Sequence, residues 1–220
     1  MTSHQPRTTG TRGAPADSST ESGSVRARLL DAVERMAGDE YKLPRLAYSL
    51  REIAREVGIA TPSIYRHFDS KEALVAAAVE AGFLELLAEM DRADADFDGN
   101  SFDRLHNQAI AYCVFLYRRR GLARMMFATH PDNWQPEHPL PNYLGRLNRR
   151  WHNLVEECQK GGFAVPGDSA QAAINIWSAV HGNLMLALIA HTSDEEVLRR
   201  AIDAHFDMLG ALLASSKKPT

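Results

Sequence analysis

The chain has 220 residues, with 28 Asp and Glu against 25 Lys and Arg, a formal net charge of −3. Its 45 % hydrophobic and 24 % charged residues are ordinary globular composition, which excludes a wholly disordered, a collagen-like or a disulfide-stapled chain. The length suits one or two domains with a substantial core, and the slight acidity argues against indiscriminate binding to polyanions.

Residues 1–23 contain no aliphatic side chain larger than Ala after Met1. They cannot bury enough surface to offset their ordering entropy, so a disordered tail is expected there. Val25, Leu29, Ala32, Val33 and Met36 then repeat with helical period and predict a first amphipathic helix. A short second helix is expected over 50–57, with Ser49 as N-cap, Glu52 completing a capping box and Gly58 stopping it. Thr61 is read as the cap and Pro62 as the first residue of a third, very short helix running through His67. Ser70 caps a long fourth helix with the stripe Leu74, Val75, Ala78, Val79, Phe83, Leu86, Leu87 and Met90. The polar segment 91–100 breaks that pattern. Further helices are expected over 101–119, 121–129, 139–160, 168–191 and 194–214, with loops over 131–141 and 161–167 and a flexible tail over 215–220. No alternating strand pattern and no internal repeat is present. The expected class is all-α, about nine helices, with a small domain over 24–72 and a larger one over 73–214.

The segment Ser49 to Lys71, SLREIAREVGIATPSIYRHFDSK, carries the most chemistry. Leu50, Ile53, Ala54, Val57, Ile59, Ile64 and Phe68 would bury two short helices around a tight turn at Gly58. That is a helix-turn-helix, whose second helix enters the DNA major groove by its N-terminal end. Its exposed side holds Thr61, Ser63, Tyr65, Arg66 and His67, all hydrogen-bonding and none a carboxylate. Free amides at a helix N-terminus attract phosphate, and Lys71 adds a full charge. Arg51 and Arg66 can donate bidentately to guanine; equally, they can be solvated or paired with Glu52, Glu56 or Asp69.

This segment resembles the DNA-binding domain of the TetR family of bacterial transcriptional regulators. The likeness rests on Gly58-Ile59, on TPSIYRHF at 61–68 and on Lys71, and spans about 25–75. It implies that Thr61, Pro62, Ser63 and Tyr65 form the recognition contacts, that Tyr65, His67 and Lys71 meet phosphates, and that Arg51 falls where some members reach a base. One departure stands out. Members usually join the first two helices by a short link, whereas here 38–49 is longer and contains Lys42, Pro44, Arg45 and Tyr48.

Trp177 and His181-Gly182 lie one helical turn apart on one face. This resembles the C-terminal regulatory domain of a TetR subgroup with a Trp-His-Gly (WHG) signature, and 112–127 resembles that subgroup's fifth and sixth helices. The resemblance implies a homodimer, paired through about 168–191 and 194–214, and a pocket for a small apolar or aromatic effector. Ile174, Trp177, Leu184, Leu188, Val197, Ile202, Phe206 and Leu209 would form the paired faces. Candidate pocket residues are Tyr112, Phe115, Met126, Phe127, Trp134, Trp151 and Trp177, with His181 as polar anchor. Plain core packing explains the same residues.

Cys113 and Cys158 lack CxxC partners and read as two reduced thiols filling apolar space. The 9 histidines include no i, i+4 pair with a carboxylate between, so no metal site and no cofactor is expected. Nucleophile-elbow and phosphate-loop signatures are missing, so no enzyme is expected. The N-terminus lacks the apolar run of a signal peptide, and the run 184–190 is shorter than the ~20 residues of a membrane span. A cytoplasmic, ligand-responsive regulator, in sign a repressor, is therefore expected to bind a pseudo-palindromic double-stranded operator as a homodimer. The alternative is a constitutive or architectural DNA-binding dimer with no effector.

Overall fold

The computed structural model describes residues 18–39, 49–127, 140–163, 165, 167–190 and 194–215. Nine helices follow one another among them: α1 Ser18–Asp39, α2 Leu50–Val57, α3 Thr61–Ile64, α4 Lys71–Ala95, α5 Ser101–Arg118, α6 Arg120–Phe127, α7 Leu140–Lys160, α8 Ser169–Ile189 and α9 Glu195–Ser215. No strand occurs among the described residues. The chain is all-α, as expected.

Three boundaries of the first half have a local cause. The Ser49 side chain accepts from Glu52 N–H while Glu52 accepts from Ser49 N–H at 2.6 Å, so the capping box is closed in both directions. Gly58 ends α2 in the left-handed region at φ 74°, and Ile59 N–H closes back on the Ala54 carbonyl at 2.9 Å. Ser70 caps α4 by accepting from Ala73 N–H at 3.0 Å.

Leu29, Ala32 and Val33 of α1, Ile53, Ala54 and Val57 of α2, Ile64 of α3 and Leu74 of α4 are all buried together. The same core continues without a break through Phe83, Leu86 and Met90 of α4 into α5, α7 and α8. Burying a side chain such as Phe83 is worth about 1.5–3 kcal/mol, so α4 is held along its length from both halves. Its 25 residues cross the expected boundary at 72 and 73.

Three expectations about elements need correction. Residues 18–23, assigned to the tail, are helical and form the N-terminal end of α1. Thr61 does not cap α3; Ala60 holds that position with no side-chain bond, Pro62 lies in the first turn, and the helix ends at Ile64 with turns through His67. The break expected from Asp91 starts only after Ala95. Asp94 is drawn inward by Arg104 at 2.5 Å, and the Asn107 amide donates to the Ala93 carbonyl at 2.7 Å. The expected disorder of 1–17, the connection 40–48, the tip at 216–220 and Trp134 lie outside the described residues.

The expected faces of α8 and α9 also change. Leu184, Ile202 and Phe206 are buried inside this chain, and Trp177, Leu188 and Leu209 pack against its core. Ile174 and Val197 are exposed, joined by Leu186, Ile189, Met208 and Leu212. The helices are apolar on two sides, and period alone does not say which side meets its own chain.

Candidate DNA interface and the C-terminal aromatic cluster

The turn at Gly58 sets α3 across α2, and Ile64 and Phe68 anchor its inner side. Outward it presents Tyr65, 56 % exposed, with Arg66 and Pro62 exposed beside it and Thr61, Ser63 and His67 half-buried. Lys71 begins α4 immediately beyond. Partial burial pulls the Lys71 ammonium below its ordinary value, against the opposite pull of Glu72 and Glu52. Arg51 is exposed on the first turn of α2. All eight residues read as DNA contacts therefore lie in the contiguous segment from α2 to the start of α4.

Two of the neighbouring carboxylates, Glu52 and Glu56, are occupied elsewhere. Glu52 is committed to Ser49, whose backbone and side-chain hydrogen bonds hold its carboxyl below the usual range. Glu56 pairs with Arg35 of α1 at 3.2 Å. Neither is spent on Arg51 or Arg66.

Two residues of α1 support this face and were missed by sequence reasoning. The Arg28 guanidinium donates to the Val57 carbonyl, the last of α2. The Arg26 guanidinium lies over the Phe68 ring at 5.0 Å. Both are exposed and, two residues apart, project to different sides of α1; helical period carries no information on the distant partner each one meets.

Residues 46–78 match the family model described as bacterial regulatory proteins, tetR family. The chain carries a TetR-family helix-turn-helix domain. Residues 105–211 match a tetracyclin repressor-like C-terminal domain. This TetR-type chain is similar to a Rhodococcus sp. RHA1 protein of unknown function, at 27 % identity and TM-score 0.67, over 84 % of this chain and 95 % of that one. A tetR-family regulatory protein from Rhodococcus RHA1 has the same fold at 22 % identity and TM-score 0.64, over 84 % and 96 %. So does the transcriptional regulator FadR from Bacillus subtilis, solved with stearoyl-CoA, at 15 % identity and TM-score 0.67, over 83 % and 96 %. No curated protein matches the sequence. The TetR assignment makes the chain a DNA-binding transcriptional regulator and gives the α2–α3 unit its chemistry.

In the C-terminal half of this TetR-type chain, five of the expected pocket residues meet. The Tyr112 hydroxyl and His181 Nδ1 share a hydrogen bond at 2.8 Å. Trp177 stacks on His181 with centroids 5.4 Å apart, Phe127 meets His181 edge-on at 4.6 Å, and Trp151 meets Tyr112 edge-on at 6.1 Å. Burial pushes the Tyr112 hydroxyl well up and the His181 imidazole down, so both groups are held neutral. The Trp177 N–H faces the same hydroxyl but closes no hydrogen bond of ordinary geometry, and both it and the Trp151 N–H are buried without an acceptor. Met126 is fully buried, while Phe115 turns away to lie under the Arg119 guanidinium at 5.2 Å.

Proposed function

We propose that this protein is a ligand-responsive repressor that binds a pseudo-palindromic operator as a homodimer, with head 24–72 and regulatory body 73–214. The observation that carries the DNA reading is the exposed Tyr65-Arg66 turn that ends α3, held beyond the left-handed turn at Gly58 and followed by Lys71 at the start of α4. Arg51 and Ser63 read base edges; Thr61, Pro62, Tyr65, Arg66, His67 and Lys71 seat the helix against phosphates and sugars.

The homodimer is supported by α8 and α9. Among the described residues, α8 is the one helix long and apolar enough to cross a membrane by length and composition. Leu186 and Ile189 are exposed on α8, and Met208 and Leu212 are exposed on α9. A second copy seated there covers both helices at once, as a two-fold interface does, and leaves the protein in the cytoplasm.

The effector reading is supported by the two buried indole N–H groups without acceptors, since such groups are ordinarily satisfied. An effector with an apolar body and a hydrogen-bond acceptor would meet them beside Tyr112 and His181, in keeping with a WHG-type body. FadR, of the same fold, is solved with stearoyl-CoA, an apolar chain on a polar head. The complete burial of Tyr112, Met126 and Trp151 favours a second reading, a constitutive dimer with a filled core. A ligand that raises the melting temperature decides between them.

The test of the DNA reading starts from duplexes selected by the parent from a random pool. Lys71→Ala should weaken binding to every selected sequence and lower the salt slope by about two per dimer, ~0.9 for each phosphate left without its lysine. Tyr65→Phe should weaken binding with the slope unchanged, because the hydroxyl displaces no counterion. Parent-like affinity in both variants contradicts the assigned phosphate contacts.

A further inference from the structure

Arg119 stands between α5 and α6, in non-helical backbone at φ −114° and ψ 61°. Its guanidinium reaches across to the head. Nε donates to one carboxylate oxygen of Glu34 at 2.7 Å and Nη2 donates to the other, a bidentate pair with α1. Nη1 donates to Glu85 of α4. Arg119 is 26 % and Glu34 19 % exposed, so the pair is screened less than a surface pair and has the fork geometry that makes such bonds directional.

The rest of α6 repeats the attachment. Arg124 donates to the Ala37 carbonyl in the last turn of α1 at 3.1 Å. Leu122 fills a notch in α4 at Gly82, where a Cβ would stand 2.1 Å from its Cδ1. At its other end Phe127 touches His181 and, with centroids 6.1 Å apart, Phe83 of α4. One short helix thus grips α1 at its start and touches the aromatic cluster at its end.

We infer that Arg119 is a positioning residue for DNA binding: its fork on Glu34 and Glu85 fixes the angle of the head on the body. This rests on the dimeric DNA-binding reading above. Without the fork, α1 is restrained by packing and the single Arg124–Ala37 bond, which are less directional than a bidentate ion pair. Two recognition helices must meet half-sites about one DNA turn, 34–36 Å, apart, so the loss falls on half-site spacing and spares contacts within one half-site.

The experiment compares the parent, Arg119→Gln, Glu34→Gln and the double variant. Each is measured on a parent-selected duplex and on the same duplex with one or two base pairs inserted at its centre. Amide exchange across 24–37 is read in the free proteins. The parent should prefer its own spacing by about tenfold or more, within the usual range of coupling between sites. Arg119→Gln should cut that preference to about threefold or less and speed exchange in α1, and the double variant should be no worse than the single ones. An Arg119→Gln protein with parental spacing preference, or with parental exchange in α1, overturns the role of Arg119 and leaves the DNA reading standing. Faster α1 exchange in a family whose parent selects no DNA overturns both.

Discussion

His181 loses hydration on folding, and this gives its contribution to stability a definite sign with pH. Burial holds its folded pKa below the ordinary 6.5, so the unfolded chain takes up a proton first as the solution is acidified. Stability from this residue is complete above 6.5 and declines as pH falls from there toward the folded pKa. His205, also lowered by burial and with a buried Nε2 lacking a partner, acts in the same direction. The melting temperature should therefore drop as the pH falls below about 6.5, and His181→Gln should reduce the slope of that drop. An unchanged slope contradicts the neutral, buried imidazole. The spacing of Trp177 and His181 was legible in the sequence as a shared helix face. The bond of His181 to Tyr112, 69 residues away, was not, because helical period carries no information on which faces of distant helices meet.

At the scale of elements, legibility follows the range of the interaction. Ser49 with Glu52, Gly58 and Ser70 act within one turn, and their positions in the chain located α2 and the start of α4. The full α4 stripe from Leu74 to Met90 is buried, since one long helix in contact along its length shows a single period. Residues 91–95 escaped because a polar helix end needs only exposed positions and the Asp94–Arg104 pair, which joins α4 to α5. In α8 and α9 two apolar sides compete, and Ile202 and Phe206 proved to serve their own core. This locates the dimer prediction on the outer side. Leu186, 67 % exposed, and Leu212, 62 % exposed, should each tolerate Lys within the folded monomer, because neither touches the core. The Leu186→Lys, Leu212→Lys double variant should sediment as a folded monomer where the parent is a dimer. A double variant that remains dimeric moves the interface elsewhere.

For the whole chain, the acidity of −3 is unevenly placed. Residues 24–72 carry 9 basic and 8 acidic groups, while 73–220 carry 14 and 18. A head this close to neutral cannot bind DNA by bulk charge. Its affinity must come from where the charges sit: Arg51, Arg66 and Lys71 beside α3, with Glu52 and Glu56 engaged by Ser49 and Arg35. Arg119 and α6 then join that modest interface to the body, and in the proposed dimer a second copy doubles it. The decisive measurement is hydroxyl-radical footprinting of the parent on its selected duplex, with the mass of the complex determined alongside. One protein dimer per duplex is expected, with two protected patches on one face of the DNA, about 10–10.5 base pairs apart. A single patch, or a complex containing one protein chain, would contradict the paired-head reading.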